Sequence, residues 1–316
     1  MLSHQNKTIM DKILSDWFYV IKNCSVDNTY KMGWCKSIIE CCLDNNPSKE
    51  ISFDRISQKM FKYYWNQTIF FNLQQSPNPN KPPEFISYVK KKIDLYQKQY
   101  GLQPLEFERI EDKIEIDIKH LNNIVKRDVC HRFLKVGGKE IPLYELDLIN
   151  KKISLPNPTI LKDFSDILFE IVNYRWSQIL ETFNSSPRIS KKIKITDRGG
   201  IKRNSLEKFH KYLSHTDKVC FICKEQLNND ISIDHLIPWS YMFSDDIWNL
   251  VYTHKSCNSS KSNKMIDESE IIRLEIRNIE LVKLLENNKI NDKHFEELKL
   301  SIEKNLLRKF WIGFKG

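Results

Sequence analysis

Apolar residues recur at helical spacing through most of the first hundred positions. Ile9, Ile13, Phe18 and Ile21, then Met32, Trp34, Ile38, Ile39 and Leu43 after Asn28-Thr29, predict two helices between residue 4 and about residue 45. A third helix, aromatic-rich and buried on one side, is predicted over 53–72. Its Tyr63-Tyr64-Trp65 run suits core packing better than base stacking. The four prolines of SPNPNKPP (76–83) exclude a helix interior, and a further helix follows over 84–100 with Lys90, Lys91, Lys92 and Lys98. The pattern is ambiguous from 103 to about 136, ending in a helix. FLKVGGKEIPLYELDLINKKISL then predicts short strands joined at Gly137-Gly138. LPNP at 155–158 opens a helix over 161–183, with Phe164, Ile167, Leu168, Ile171, Ile179 and Leu180 on its apolar side.

Beyond residue 185 the pattern changes. RISKKIKI is strand-like, Gly199-Gly200 forms a hinge and SLEKFHKYL predicts a helix. At the far end, Asp267-x-x-Glu270 is a capping arrangement before IIRLEIRNIELVKLL. A last helix over 291–310 carries Phe295, Leu298, Ile302 and Leu306 on one face. These two helices are expected to pack within the chain. The fold class is α+β, in four parts. They are a mainly helical domain with a small sheet (1–185), a basic arm (186–216), a compact module (217–266) and C-terminal helices (267–316).

Composition narrows the function classes. The 316 residues are 41% apolar and 29% charged, ordinary for a globular protein with a sizeable core. No apolar run approaches eighteen residues and the first twelve are polar, so a cytoplasmic protein with no membrane partner is expected. Cys24, Cys35, Cys41, Cys42 and Cys130 lie in apolar or helical stretches and suit free thiols rather than a disulfide framework. Charge is uneven. Arg188 to Lys211 holds nine Lys/Arg against Asp197 and Glu207, or +7 of the chain's net +9. Lys191, Lys192, Lys194, Arg198, Lys202 and Arg203 are therefore candidate contacts for a nucleic-acid backbone; the plain alternative is a solvated linker.

The chemistry concentrates between Cys220 and Lys264. Cys220-x-x-Cys223 is followed, after thirty intervening residues, by His254-x-x-Cys257. Three soft thiolates and one imidazole at this spacing suit a closed tetrahedral zinc site. Between the pairs stand Asp234-His235, a loop with Asp245-Asp246, and Asn249; Asn258 and Lys261 follow. His235 is a candidate general base, because imidazole titrates near neutral pH. Asp234, its neighbour on an extended strand, faces the other way. Lys261, three residues after Asn258, shares a helical face with it and is a candidate phosphate contact.

Over these residues the chain resembles the HNH endonuclease family, in the variant that ends in Asn. The steps of fourteen residues from His235 to Asn249 and nine to Asn258 are similar to those in the HNH domain of RNA-guided CRISPR nucleases. The cysteines are more like the restriction-enzyme and McrA-like branches of stand-alone bacterial HNH nucleases. The resemblance implies a ββα-metal fold in which Asp234 and Asn258 ligate catalytic Mg²⁺ or Mn²⁺. It also implies that Asn249 holds the hairpin loop through backbone hydrogen bonds, and that a structural Zn²⁺ sits among the cysteines. The implied activity is hydrolysis of phosphodiester bonds in DNA, double-stranded above all, in restriction or anti-phage defence. A homodimer or partner defence proteins fit that layout. Two rival readings are a non-catalytic zinc-containing nucleic-acid-binding module and a nuclease subunit active only within a larger complex.

Overall fold

Trp17, Trp34, Trp65 and Trp176 come from four helices and are each at most 1% exposed, and the first core forms around them. The computed structural model describes residues 4–184, 186–195, 203–228, 230–261 and 266–315. The chain divides into two units, Met1–Asn184 with Ile189–Ile201 and Ser185–Arg188 with Lys202–Gly316. The first contains α1 (His4–Asn23), α2 (Tyr30–Cys41), β1 (Glu50–Ser52), α3 (Phe53–Phe71), α4 (Glu84–Tyr100) and α5 (Ile118–Asp128). It continues with β2 (Lys135–Val136), β3 (Lys139–Glu140), β4 (Glu145–Asp147), β5 (Lys152–Ser154), α6 (Pro158–Asp163), α7 (Ser165–Phe183) and α8 (Ile189–Ile195).

Helices α2 and α3 cross closely at Gly33, where a Cβ would come within 2.7 Å of the Tyr64 hydroxyl. Tyr63, Tyr64 and Trp65 are all buried, so this aromatic run is core. Trp34 meets Phe53 edge-on at 5.4 Å and donates its indole N–H to Tyr144 at 2.8 Å, tying α2 to the strand region. There β5 pairs antiparallel with both β1 and β4, and a separate two-stranded hairpin turns at Gly137 and Gly138, both at positive φ. The five cysteines outside the motif segment are free and buried.

Several details differ from the sequence expectation. RISKKIKI is helical: Ile189, Lys192 and Ile193 are buried together at i, i+3, i+4 spacing, which a strand could not place on one face. SLEKFHKYL forms only a short 3-10 turn followed by α9 (His210–Leu213). The helix expected over 161–183 begins at Pro158 and breaks at Phe164, and that break leaves Ile167 53% exposed. Leu43, beyond the end of α2, is exposed as well. The Gly199-Gly200 hinge lies outside the described residues.

The second unit contains α9, β6 (Ile231–His235), α10 (Trp239–Met242), β7 (Leu250–His254), α11 (Lys255–Lys261), α12 (Glu268–Asn287), α13 (Lys293–Glu303) and α14 (Leu306–Lys315). β6 and β7 pair antiparallel from Ile231↔His254 to His235↔Leu250, and α11 follows β7 without a gap, giving a ββα unit. Asp267 and Glu270 form the expected capping box on α12. The last predicted helix is two, separated at Asn305 (φ 52°), so Ile302 is exposed and Leu307 takes the inward position. These C-terminal helices pack on the ββα unit. Leu236, Ile237, Ile247, Trp248 and Leu250 share a core with Leu274, Leu281, Leu298 and Trp311. Arg277 donates to the Leu250 carbonyl (2.6 Å) and Asn278 to that of Trp248 (2.9 Å).

Candidate metal-dependent active site

Two clusters of polar groups are built on the ββα unit. At one end, Cys220 and Cys223 lie on a tight knuckle. The Lys224 N–H bonds back to the Cys220 carbonyl at 2.9 Å, and Lys224 takes a positive φ of 67° to close the turn. His254 ends β7 and Cys257 sits in the first turn of α11. The four ligand atoms all lie within 4.8 Å of one another. His254 Nε2 is 3.3 Å from the Gln226 carbonyl, so that nitrogen carries the proton and Nδ1 is left for a cation, with Cys223 Sγ 3.3 Å from it.

The sulfurs fit zinc in their acidity as well. Burial opposes ionisation of the Cys220 thiol, yet backbone N–H groups of Cys223, His254 and Ile222 outweigh it and bring its pKa down to about 6. Cys257 is pushed up to about 11, by desolvation and by the sulfurs of Cys223 and Cys220 beside it. A cation among the four ligands offsets the repulsion between their sulfurs. The donor set therefore fits Zn²⁺.

The second cluster lies at the other end of β6. Ser232 and Asp234 share one face of the strand, and α11 covers it. Asn258 on α11 donates its amide to Ser232 Oγ at 3.1 Å, leaving its carbonyl oxygen as a hard ligand. Asp234 accepts from the His235 N–H at 2.8 Å. A carboxylate and an amide oxygen are the donor types that a hard divalent ion takes, and Asp234 carries one on β6 and Asn258 the other on the helix beside it. Lys261 differs from the sequence expectation. Its ammonium is 2.6 Å from both Asp234 Oδ2 and the His235 carbonyl and is only 11% exposed, so it is held inside the site rather than free for phosphate.

His235 faces the opposite side of β6. Its Nε2 lies 3.0 Å from Asp245 Oδ1, with the two side chains 8% and 14% exposed. The hydrogen bond from His235 holds the Asp245 carboxyl below the usual carboxylate range; desolvation opposes this, and the Asn204 side chain and Lys208 reinforce it. The loop carrying Asp245 is pinned by Asn249, which is wholly buried. Asn249 Oδ1 accepts from the Ile237 N–H and Nδ2 donates to the Ile237 carbonyl, both at 2.8 Å, while its own carbonyl accepts from Leu236 N–H.

The basic stretch divides. Lys192 is a correction: it is fully buried on α8, 5.7 Å from the centre of the Phe71 ring, because it fills a core position between Ile189 and Ile193. It offers no surface for a phosphate. Lys194 pairs with Glu170, and Lys191 is exposed. Arg198 and Lys202 lie outside the described residues. Arg203 stacks 4.8 Å over the Trp239 ring and feels the charges of Asp234 and Asp245, which places it near the Asp234-His235 pair. Asp245 is visible in the sequence only as half of the Asp245-Asp246 pair before Asn249, with no role attached; Ser232 and the Gln226 carbonyl carry no sequence signal at all.

A β-hairpin and helix here join an adjacent Asp-His pair to a Cys₃His cluster able to hold a metal ion, in a ββα unit. A family model described as HNH endonuclease matches residues 221–266, and this segment carries the HNH endonuclease fold and motif. Cys220 stands one residue before the match and joins the cluster through the knuckle. No curated protein and no solved structure matches the chain. Among the described residues, no helix is long and apolar enough to cross a membrane.

Proposed function

We propose that the protein is a metal-dependent endonuclease that hydrolyses phosphodiester bonds of DNA, acting in restriction or anti-phage defence. The observation that carries this reading is the end of β6. Adjacent residues there present a carboxylate to α11 on one face and an imidazole held by a carboxylate on the other. Asp234 and Asn258 would hold the catalytic Mg²⁺ or Mn²⁺, whose chemistry there would be to neutralise charge on the scissile phosphate. His235 is the general base for the attacking water. Asn249 keeps the loop, and with it His235, in place. Arg203 approaches the nucleic-acid backbone. The zinc cluster closes the loop between Cys220 and Cys257 and makes metal binding part of folding.

The test is nicking of supercoiled plasmid with Mg²⁺ or Mn²⁺, with and without chelator, by the wild type and His235→Ala. Wild-type nicking that chelator abolishes is expected. His235→Ala is expected to bind DNA and retain zinc but cut at least about a hundredfold more slowly. Equal cutting by the variant removes His235 from the chemistry. DNA binding without cutting under every metal condition favours a zinc-containing binding module instead.

A further inference from the structure

We infer that Asp245 is the positioning residue of the His235 base, fixing the proton on Nε2 so that Nδ1 is the nitrogen that receives the proton of the attacking water. This rests on the reading of His235 as the base and adds the group that sets its tautomer and orientation.

Nε2 of His235 is 3.0 Å from Asp245 Oδ1. An ionised carboxylate only accepts, so the hydrogen in this bond belongs to Nε2. A neutral imidazole with its proton on Nε2 has its lone pair on Nδ1. Among the described residues Nδ1 has no hydrogen-bond partner. The carboxylate is itself fixed, because the Asn204 side chain also hydrogen-bonds to it and Lys208 adds favourable charge. Both partners are mostly shielded from water, so the bond restrains the ring instead of exchanging freely with solvent.

Backbone geometry supports the same role. Asp245 precedes the 3-10 turn Ile247–Asn249, and Asn249 clamps that turn to Ile237, two residues after His235. The loop that delivers the carboxylate is thus tied to the strand end that delivers the imidazole. In the hydrolytic step, water oxygen bonds to phosphorus and the bond from phosphorus to the leaving oxygen breaks. The water proton passes to Nδ1, while the Nε2 proton stays where it was. The resulting imidazolium lies against the Asp245 carboxylate, and the leaving oxygen takes its proton from solvent. Asp245 thus holds the ring before the step and balances its charge afterwards, without touching the substrate.

An amide in place of this carboxylate reverses the pattern. The amide introduced by Asp245→Asn can present its NH₂ to Nε2, and in that orientation the proton is forced onto Nδ1 and the base is lost. The experiment combines ¹⁵N spectra of the imidazole nitrogens, assigned by their loss in His235→Ala, with plasmid nicking by Asp245→Asn and Asp245→Glu. The wild type is expected to show protonated Nε2 and bare Nδ1. Asp245→Asn is expected to show the reverse, with zinc content, melting temperature and DNA affinity unchanged and turnover at least about tenfold lower; changing the matching carboxylate of a Ser-His-Asp triad to amide costs about 10⁴. Asp245→Glu should restore the wild-type tautomer and part of the rate. Protonated Nδ1 in the wild type overturns the inference, and that result requires no variant to fold. So does an Asp245→Asn enzyme that is slow but keeps its proton on Nε2, or one that cuts at the wild-type rate while His235→Ala is inactive. If His235→Ala itself cuts normally, the failure lies with His235 as base and not with Asp245.

Discussion

Asn249 makes no contact with the proposed chemistry, yet the site depends on it. Its side chain satisfies both backbone groups of Ile237 in a fully buried position, which an alanine would leave without partners. Buried groups left unmade cost about 1–3 kcal/mol each, so Asn249→Ala should destabilise the second unit by on the order of 3 kcal/mol. Thermal or urea unfolding checks this; a melt matching the wild type would mean that the loop is held by other contacts. The residue scale is also where sequence was most informative about the site. The four zinc-type ligands are paired by their spacing and do come together, whereas the roles of Asp234, Asn249 and Asn258 follow from the resemblance to the HNH family. What spacing does not give is the direction of each side chain. Lys261 shares a helical face with Asn258, as expected, but its ammonium turns into the Asp234 carboxylate. Lys192 counts as a charge in the sequence and as a core residue in the fold.

At the scale of elements, long periodic segments were legible and short ones were not. The helices α2, α3, α4 and α12 follow from apolar periodicity and capping signals. The errors fall where a few residues decide. Ile189 and Ile193 are compatible with either period, and only packing made α8 a helix. Asn305, in the left-handed region, splits one expected helix into α13 and α14. The start of α13 shows what a single cap contributes. Asp292 accepts from the His294 and Phe295 N–H groups and from Lys211 and Tyr212, linking α13 to α9. Desolvation works against its ionisation, but the hydrogen bonds from Lys211, Tyr212 and Phe295 outweigh it and lower its pKa to about 2. Asp292→Ala should cost about 1 kcal/mol near neutral pH. A carboxylate with a depressed folded-state pKa stabilises above its unfolded pKa and ceases to as pH falls through the folded value. The gap between wild type and Asp292→Ala should therefore close between about pH 4 and about pH 2 in urea melts. A gap that persists unchanged to pH 2 would show that the ionised cap is not its source.

At the scale of the whole molecule, the chain separates a helical unit with a small sheet from a unit in which the ββα segment is braced by α12, α13 and α14. The family match covers only residues 221–266. Helical periodicity identifies a core in the first unit but carries no chemistry, which is why its role was not legible in the sequence. The basic stretch that looked like one arm is divided between the two units, with α8 in the first and Arg203 in the second. The central claim is that the segment from Cys220 to Lys261 holds two metal sites with separate work, zinc for folding and a hard cation for cleavage. Cys257 and Asn258 are neighbours on α11 assigned to different sites. The most direct measurement is bound zinc and Mg²⁺-dependent nicking, taken on the same samples of Cys257→Ser and Asn258→Ala. Cys257→Ser should lose zinc, thermal stability and nicking together. Asn258→Ala should keep the zinc and melting temperature of the wild type and lose nicking alone. If Asn258→Ala sheds its zinc, or nicks at the wild-type rate, the two-site account is wrong.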